Sequence, residues 1–156
     1  MLDKLIKKGK IFIVAEIGVN HEGDVLKALE MITLAKKSGA DAVKFQTYLA
    51  ESYVSSSQEE RLERVKRFQL NFGQFRELSE RAKEEGVIFF STPLDLESLE
   101  LLNRISSVIK VSSGDINNYP FLKEIASLKK PVILSTGLSG EAEITRAIDA
   151  LSLIHI

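Results

Sequence analysis

Two textures alternate along the chain. Short runs rich in β-branched and aromatic residues occur at Ile11–Ile17 (IFIVAEI), Asp41–Gln46 (DAVKFQ), Val87–Thr92 (VIFFST), Val108–Ser113 (VIKVSS) and Pro131–Thr136 (PVILST). Each reads as a strand. Between them apolar residues recur at helical spacing. In DVLKALEMITLAKKSGA the apolar positions are Val25, Leu26, Leu29, Ile32, Leu34 and Ala35, with Asp24 as the N-cap and Gly39 closing the helix. GQFRELSERAKEEG, DLESLELLNRI, YPFLKEIASLKK and SGEAEITRAIDAL repeat the pattern. Strand–helix units in succession predict a parallel α/β sheet with right-handed crossovers. A doubly wound sheet and a (β/α)8 barrel both satisfy that order. A whole barrel needs ~250 residues, so this chain holds part of one at most. The interval TYLAESYVSSSQEERLERVKRFQLNF exceeds a simple connection and reads as an active-site loop plus an extra helix.

The strand ends carry the candidate chemistry. The first ends at Glu16. The second bears Lys44 and Gln46, and the third ends with Ser91 and Thr92. The fourth brings Lys110, Ser112, Ser113 and Asp115, and the fifth Ser135 and Thr136. Sites in parallel α/β proteins form at this edge of the sheet. Strand alternation puts Ala42, Lys44 and Gln46 on one face and Val43 and Phe45 on the other; Val108, Lys110 and Ser112 likewise share a face. Both lysines therefore lie among apolar neighbours, where an ammonium is costly unless a counter-charge meets it. Glu16 and Asp115 supply that charge as structural ion pairs, or an anionic ligand does. STP, SSGD and STG follow three of the strands, and Gly114 and Gly137 let backbone N–H groups approach an oxyanion closely. Hydroxyls, glycines and lysines together suggest a pocket for a small phosphate ester or carboxylate. His21 lies in a polar turn, as a proton carrier or a capping residue. His155 lies in the apolar tail, and two isolated histidines make no metal site.

Composition narrows the class. The 156 residues are 44% apolar and 28% charged with net charge −1, as in an ordinary globular domain. LIKKGK is too short and mixed for a nucleic-acid arm, so no nucleic-acid partner is expected. The chain has no cysteine, which excludes disulfides and thiolate metal sites. With no apolar run of ~18 residues and no signal-peptide pattern, no membrane association is expected, and a cytoplasmic protein is the default.

AEIGVNHEGD, GADAVKFQTY, FFSTPLDLESLELL, IKVSSGDINNYPFL and PVILSTGLS closely resemble motifs of the N-acetylneuraminate (sialic acid) synthase family. That family includes the legionaminate, pseudaminate and spore-coat polysaccharide synthases. The resemblance runs over roughly residues 11 to 148, in order and spacing. It implies a (β/α)8 TIM barrel that condenses phosphoenolpyruvate with an N-acetylated hexosamine, using Mn2+ or Mg2+, to give a nine-carbon 2-keto acid and phosphate. Lys44, Thr92, Lys110, Ser113 and Ser135 match family positions that hold phosphoenolpyruvate, and Gln46 matches one near the sugar. Glu16 and Asp115 match acidic positions with metal-linked or proton-transfer roles. The family often has glutamate where Asp115 stands, so the carboxylate here has a shorter reach. In the implied mechanism C3 of the enol phosphate attacks a metal-polarised aldehyde, and water captured at C2 gives its proton to a carboxylate.

The same resemblance assigns residues 1–156 to the N-terminal part of the barrel. It puts the family's two metal-binding histidines, an asparagine and a serine of the phosphoenolpyruvate site, and a small C-terminal domain that crosses a homodimer beyond the sequence given. LSLIHI does not continue the family pattern, which points to a truncated gene, a fragment or a spurious terminus. Five strands cannot close a barrel, so open edges are expected at the first and fifth. The readings are a sialic-acid-type synthase or its N-terminal part, another phosphoenolpyruvate-condensing aldolase barrel, or a non-catalytic fragment that only binds phosphoenolpyruvate.

Overall fold

Every strand of the sheet buries one side against helices. A computed structural model describes residues 11–152. The strands are β1 (Val14–Gly18), β2 (Ala42–Thr47), β3 (Ile88–Pro93), β4 (Ile109–Val111) and β5 (Val132–Leu134). All pair in parallel in the order β1-β2-β3-β4-β5. Each strand lies beside its neighbour in sequence, with no reversal of order. A doubly wound sheet would reverse direction at a switch point; this winding is that of a partial barrel. β1 and β5 are the outer strands, as expected of an unclosed barrel.

Helices α1 (Val25–Lys37), α2 (Ala50–Tyr53), α3 (Glu59–Phe68), α4 (Phe72–Glu85), α5 (Leu96–Ile105), α6 (Tyr119–Ser127) and α7 (Glu141–Ser152) connect or follow the strands. Their starts follow capping chemistry. The Asp24 carboxylate accepts from Leu26 N and Lys27 N, Asn71 and Gln74 form a reciprocal capping box, and Asp95 and Asn118 cap α5 and α6. Helix α4 ends at Gly86 in the left-handed conformation, the usual glycine C-cap. The long interval after β2 holds two helices, α2 and α3, rather than one.

The main core is the helix-facing layer. Val43, Phe45, Phe89, Ile109 and Val111 pack against Leu29, Ile32, Phe75, Leu78, Leu102, Leu122 and Ile125. Thr47 and Ser91 also face this side and satisfy each other with a hydroxyl–hydroxyl bond of 2.8 Å. The opposite, concave face holds a smaller cluster. Ala42, Phe90 and Val108 are buried there, with Phe12, Val14, Ile88 and Ile133 only partly covered. That incomplete cover is what five strands of a barrel predict.

Strand limits differ most from the sequence expectation at β1, β4 and β5. Ile11 to Ile13 precede β1; Ile13 N instead donates to the Asp41 carboxylate at 2.8 Å, and Asp41 N and Ala42 N donate to Ile13 O. Ser112 and Ser113 leave β4, and Ser113 opens a 3-10 turn through Asp115. Ser135 and Thr136 lie past β5. Small polar residues at a strand end favour turns over ladder pairing, so β4 and β5 stop where their hydroxyl residues begin, whereas β3 keeps Ser91 and Thr92 in the ladder.

Candidate anion site at the carboxyl end of the sheet

Alternation along β2 and β4 sends Lys44 and Lys110 to the concave face, opposite the residues that pack on the helices. The two side chains are buried, with Lys44 7% and Lys110 9% exposed. Their surroundings differ. Glu16 and Lys44 are paired in the β1–β2 ladder, and Lys44 Nζ lies 2.8 Å from Glu16 Oε2. The Glu16 side chain is 60% exposed, so the pair has one dry partner and one wet one. Lys110 Nζ donates instead to Val111 O and to Ser135 Oγ, both at 2.6 Å. Burial first, then the positive charge of Lys44, push the Lys110 amine below the ordinary lysine range, while Glu16 and Asp115 oppose the shift.

The ion-pair alternative therefore holds for one lysine only. Asp115 does not contact Lys110; its Oδ2 accepts from Ser112 Oγ at 2.5 Å, within the turn that follows β4. Asp115 also borders a crevice of about 440 Å³ between the amino ends of α5 and α6, lined by Ser52, Asp95, Asn118 and Phe121 among others. Gln46 and Thr92 are register partners on adjacent strands; Thr92 is buried and Gln46 half-buried. Ser113 closes the group: a Cβ at Gly137 would sit 3.4 Å from Ser113 Oγ, so the loops after β4 and β5 are in close contact. Gln46 and Thr92 lie near the carboxyl ends of β2 and β3, and Ser113, Asp115 and Ser135 beyond those of β4 and β5, while Glu16, Lys44 and Lys110 stand mid-strand, Lys110 reaching Ser135.

His21 does not sit in an open polar turn. It is 1% exposed, its ring lies 6.1 Å from that of Phe45, and Nδ1 accepts from Gly23 N at 3.1 Å. Burial and Lys27 depress its pKa. It is a neutral turn-capping residue, and the proton-carrier alternative has no exposed ring to work with. His155 lies outside the described residues. A buried carboxylate that the strand-end pattern missed is Asp95, 8% exposed. It accepts from Ser98 N, Ser98 Oγ and Leu49 N, tying the segment after Gln46 to the start of α5. The Asp-x-x-Ser spacing gave a signal for the cap, but none for the bond to Leu49.

A metal-ion site is not assembled by these residues. Among the described residues no group of three or more His, Cys, Asp or Glu side chains converges; Glu16 is engaged by Lys44 and Asp115 by Ser112. Also among the described residues, no helix is long and apolar enough to cross a membrane.

Comparison with known proteins agrees with the fold. The family model described as the NeuB family matches residues 31–155. An N,N'-diacetyllegionaminic acid synthase of Campylobacter jejuni is 40% identical over 156 residues, spanning 91% of this chain and 47% of that protein. A protein of Methanocaldococcus jannaschii is 44% identical, spanning 96% of this chain and 44% of its own length. The crystal structure of an N-acetylneuraminic acid synthetase from Leptospira borgpetersenii, in complex with citrate, superposes with a TM-score of 0.89 at 34% identity, covering 96% of this chain and 55% of that one. The chain spans less than half the length of these two curated relatives.

Proposed function

The chain belongs to the NeuB family, and from that premise we propose that it supplies the N-terminal, anion-holding part of a synthase barrel. The reaction proposed is condensation of phosphoenolpyruvate with an N-acetylated hexosamine of the N-acetylmannosamine type. It yields a nine-carbon 2-keto sugar acid and phosphate, for sialic-, legionaminic- or pseudaminic-acid or spore-coat polysaccharide synthesis in the cytoplasm. One observation carries the reading: two buried lysines face the same concave surface, one held by Glu16 and the other by the Ser135 hydroxyl.

The residues support this chemistry as follows. Lys44 and Lys110 provide positive charge where a phosphate and a carboxylate would both need it, and so hold the enol in line for attack. They also offset charge on the departing phosphate. Thr92, Ser113 and Ser135 add hydroxyl donors around that anion. Gln46, one strand over from Thr92, is suited to the sugar. Glu16 and Asp115 are the carboxylates available to take a proton from the attacking water. A divalent metal such as Mn2+ or Mg2+ would polarise the sugar aldehyde; the present residues do not form its site, so its histidine ligands would come from outside residues 11–152. We propose a homodimer for the full-length protein.

Isothermal titration of the chain with phosphoenolpyruvate tests the anion site. Binding is expected, with Lys44→Ala and Lys110→Ala each weakening it at least tenfold, since each removes a charged contact worth about 1.5–3 kcal/mol. Unchanged affinity in both variants refutes the assignment. Phosphate release on adding N-acetylmannosamine and Mn2+ then separates the synthase from a chain that binds without turnover.

A further inference from the structure

Lys44 and Lys110 share a face and a depth but not a counter-charge. Glu16 Oε2 stands 2.8 Å from Lys44 Nζ. Lys110 has no carboxylate within ion-pair distance among the described residues, although it is just as buried. Its ammonium donates to Val111 O and Ser135 Oγ, both neutral. An ammonium carries three hydrogens, so one remains for a ligand. Ser135 Oγ accepts from Lys110, which leaves its own hydrogen to donate to the same ligand. The two amines are also set apart. Lys44 is on β2 and Lys110 on β4, with β3 between them, so their backbones are about 10 Å apart, two strand spacings. Phe90, the register partner of Lys44 on β3, is buried on the same concave face.

Resting on the anion site proposed above, we infer that Glu16 divides that site into two unequal seats: a lone oxyanion such as inorganic phosphate takes Lys110 and Ser135 and leaves the Glu16–Lys44 pair in place. A ligand with two anionic groups needs Lys44 as well, and there it shares the ammonium with Glu16 or displaces it. The Glu16 side chain is 60% exposed, which limits this competition to about two- to fivefold in affinity. Glu16 thus lowers the gain from a second anionic group and leaves the gain from the first nearly untouched. Phosphate released by the proposed condensation is such a lone oxyanion. Seated at Lys110, it blocks phosphoenolpyruvate without disturbing the other half of the site, so the product holds back the next substrate.

The test is calorimetry of the chain with inorganic phosphate and with phosphoenolpyruvate at one ionic strength, each alone and in competition. The variants are Lys110→Gln and the charge-neutral double change Glu16→Gln with Lys44→Gln. Phosphate is expected to bind the wild-type chain and to raise the apparent Kd for phosphoenolpyruvate competitively. Lys110→Gln should weaken both ligands at least about tenfold, through loss of a charged contact. The double variant should weaken phosphoenolpyruvate about five- to tenfold, yet change phosphate affinity less than about twofold. That split between the ligands is what a merely structural role for the pair would not produce.

Equal losses for both ligands in the double variant overturn the inference, because a single phosphate would then need both amines. So does a chain that binds phosphoenolpyruvate but not phosphate, or that binds both without competition. If a variant lacks a native circular dichroism spectrum, amide exchange of the wild-type chain decides. Phosphate should slow exchange in the loops after β4 and β5 only, and phosphoenolpyruvate also at the end of β1; protection of β1 by phosphate overturns the two seats. The expected phosphate pattern in a chain that does not bind phosphoenolpyruvate upholds the Lys110 seat and removes the condensation reading. A chain that binds neither ligand overturns both.

Discussion

Replacing Asp95 by alanine should loosen the rim of the sheet by an amount the structure allows to be worked out. The Asp95 carboxylate accepts from Ser98 N at 2.7 Å, Ser98 Oγ at 2.9 Å and Leu49 N at 2.7 Å. Loss of the N-cap of α5 costs about 1 kcal/mol. Stranding the Leu49 N–H costs about 1–3 kcal/mol if it stays dry; Leu49 is half-buried, so water recovers part of that and the lower end applies. The sum is about 2–3 kcal/mol, or a fall of roughly 5–10 °C in Tm for a chain of this size. Asp95→Asn keeps one carbonyl oxygen and should lose about half as much. Thermal and urea unfolding give the totals, and amide hydrogen exchange locates them. Exchange should accelerate at Leu49 and Ala50 while α4 stays protected. A loss below about 0.5 kcal/mol, the scatter of ordinary surface changes, or unaltered exchange at Leu49, would refute the clamp.

Other substitutions probe the same rim. Gly23 has φ +85, and a Cβ there would sit 2.3 Å from Arg67 O; Gly23→Ala is expected to cost more than roughly 2 kcal/mol from strain and displacement of α3, and a near-wild-type melting temperature would contradict it. His21 is depressed below its usual pKa of 6.5, so the unfolded chain takes up the proton first. Its contribution makes stability fall as pH drops below 6.5 and level off once the folded ring also protonates. Urea midpoints between pH 7.5 and 5 should show the slope, and His21→Gln should flatten it; an unchanged slope refutes the assignment. Glu16→Gln removes a negative charge beside Lys44 and should tighten phosphoenolpyruvate binding about two- to fivefold, an exposed-pair effect of about 0.5–1 kcal/mol. Calorimetry showing equal or weaker affinity would count against the anion site.

What the sequence made legible, and what it hid, follow from how far each signal reaches. Period-two alternation is local, so it grouped Lys44 with Ala42 and Gln46, and Lys110 with Val108 and Ser112, from the sequence alone. Winding is not local: the alternating pattern allowed two topologies, the family motifs pointed to the barrel, and the strand order agrees with it. Burial of His21 was invisible for the same reason. Its flanking residues are polar and glycine-rich, and what covers it, including Phe45, comes from elsewhere in the chain. The clamp from Asp95 to Leu49 joins residues 46 apart in sequence, beyond any motif spacing. Strand ends were overrun by two residues at β4 and β5 because the small hydroxyl residues that continue the apolar runs carry no sharp stop signal such as Gly or Pro, yet here leave the ladder.

The unequal lysines also constrain how an anion would enter. With Lys44 held by Glu16 and Lys110 hydrogen-bonded only to neutral oxygens, a dianion meets one cation that is already paired and one without a counter-charge. At Lys44 the ligand competes with the Glu16 carboxylate, so that contact yields less net energy than the one at Lys110. Lys110→Ala should therefore cost more phosphoenolpyruvate affinity than Lys44→Ala. Calorimetry of the two variants at one ionic strength measures the difference directly. Equal losses, in protein that binds the ligand, would mean that Glu16 does not compete, and the distinction drawn between the two amines would fail.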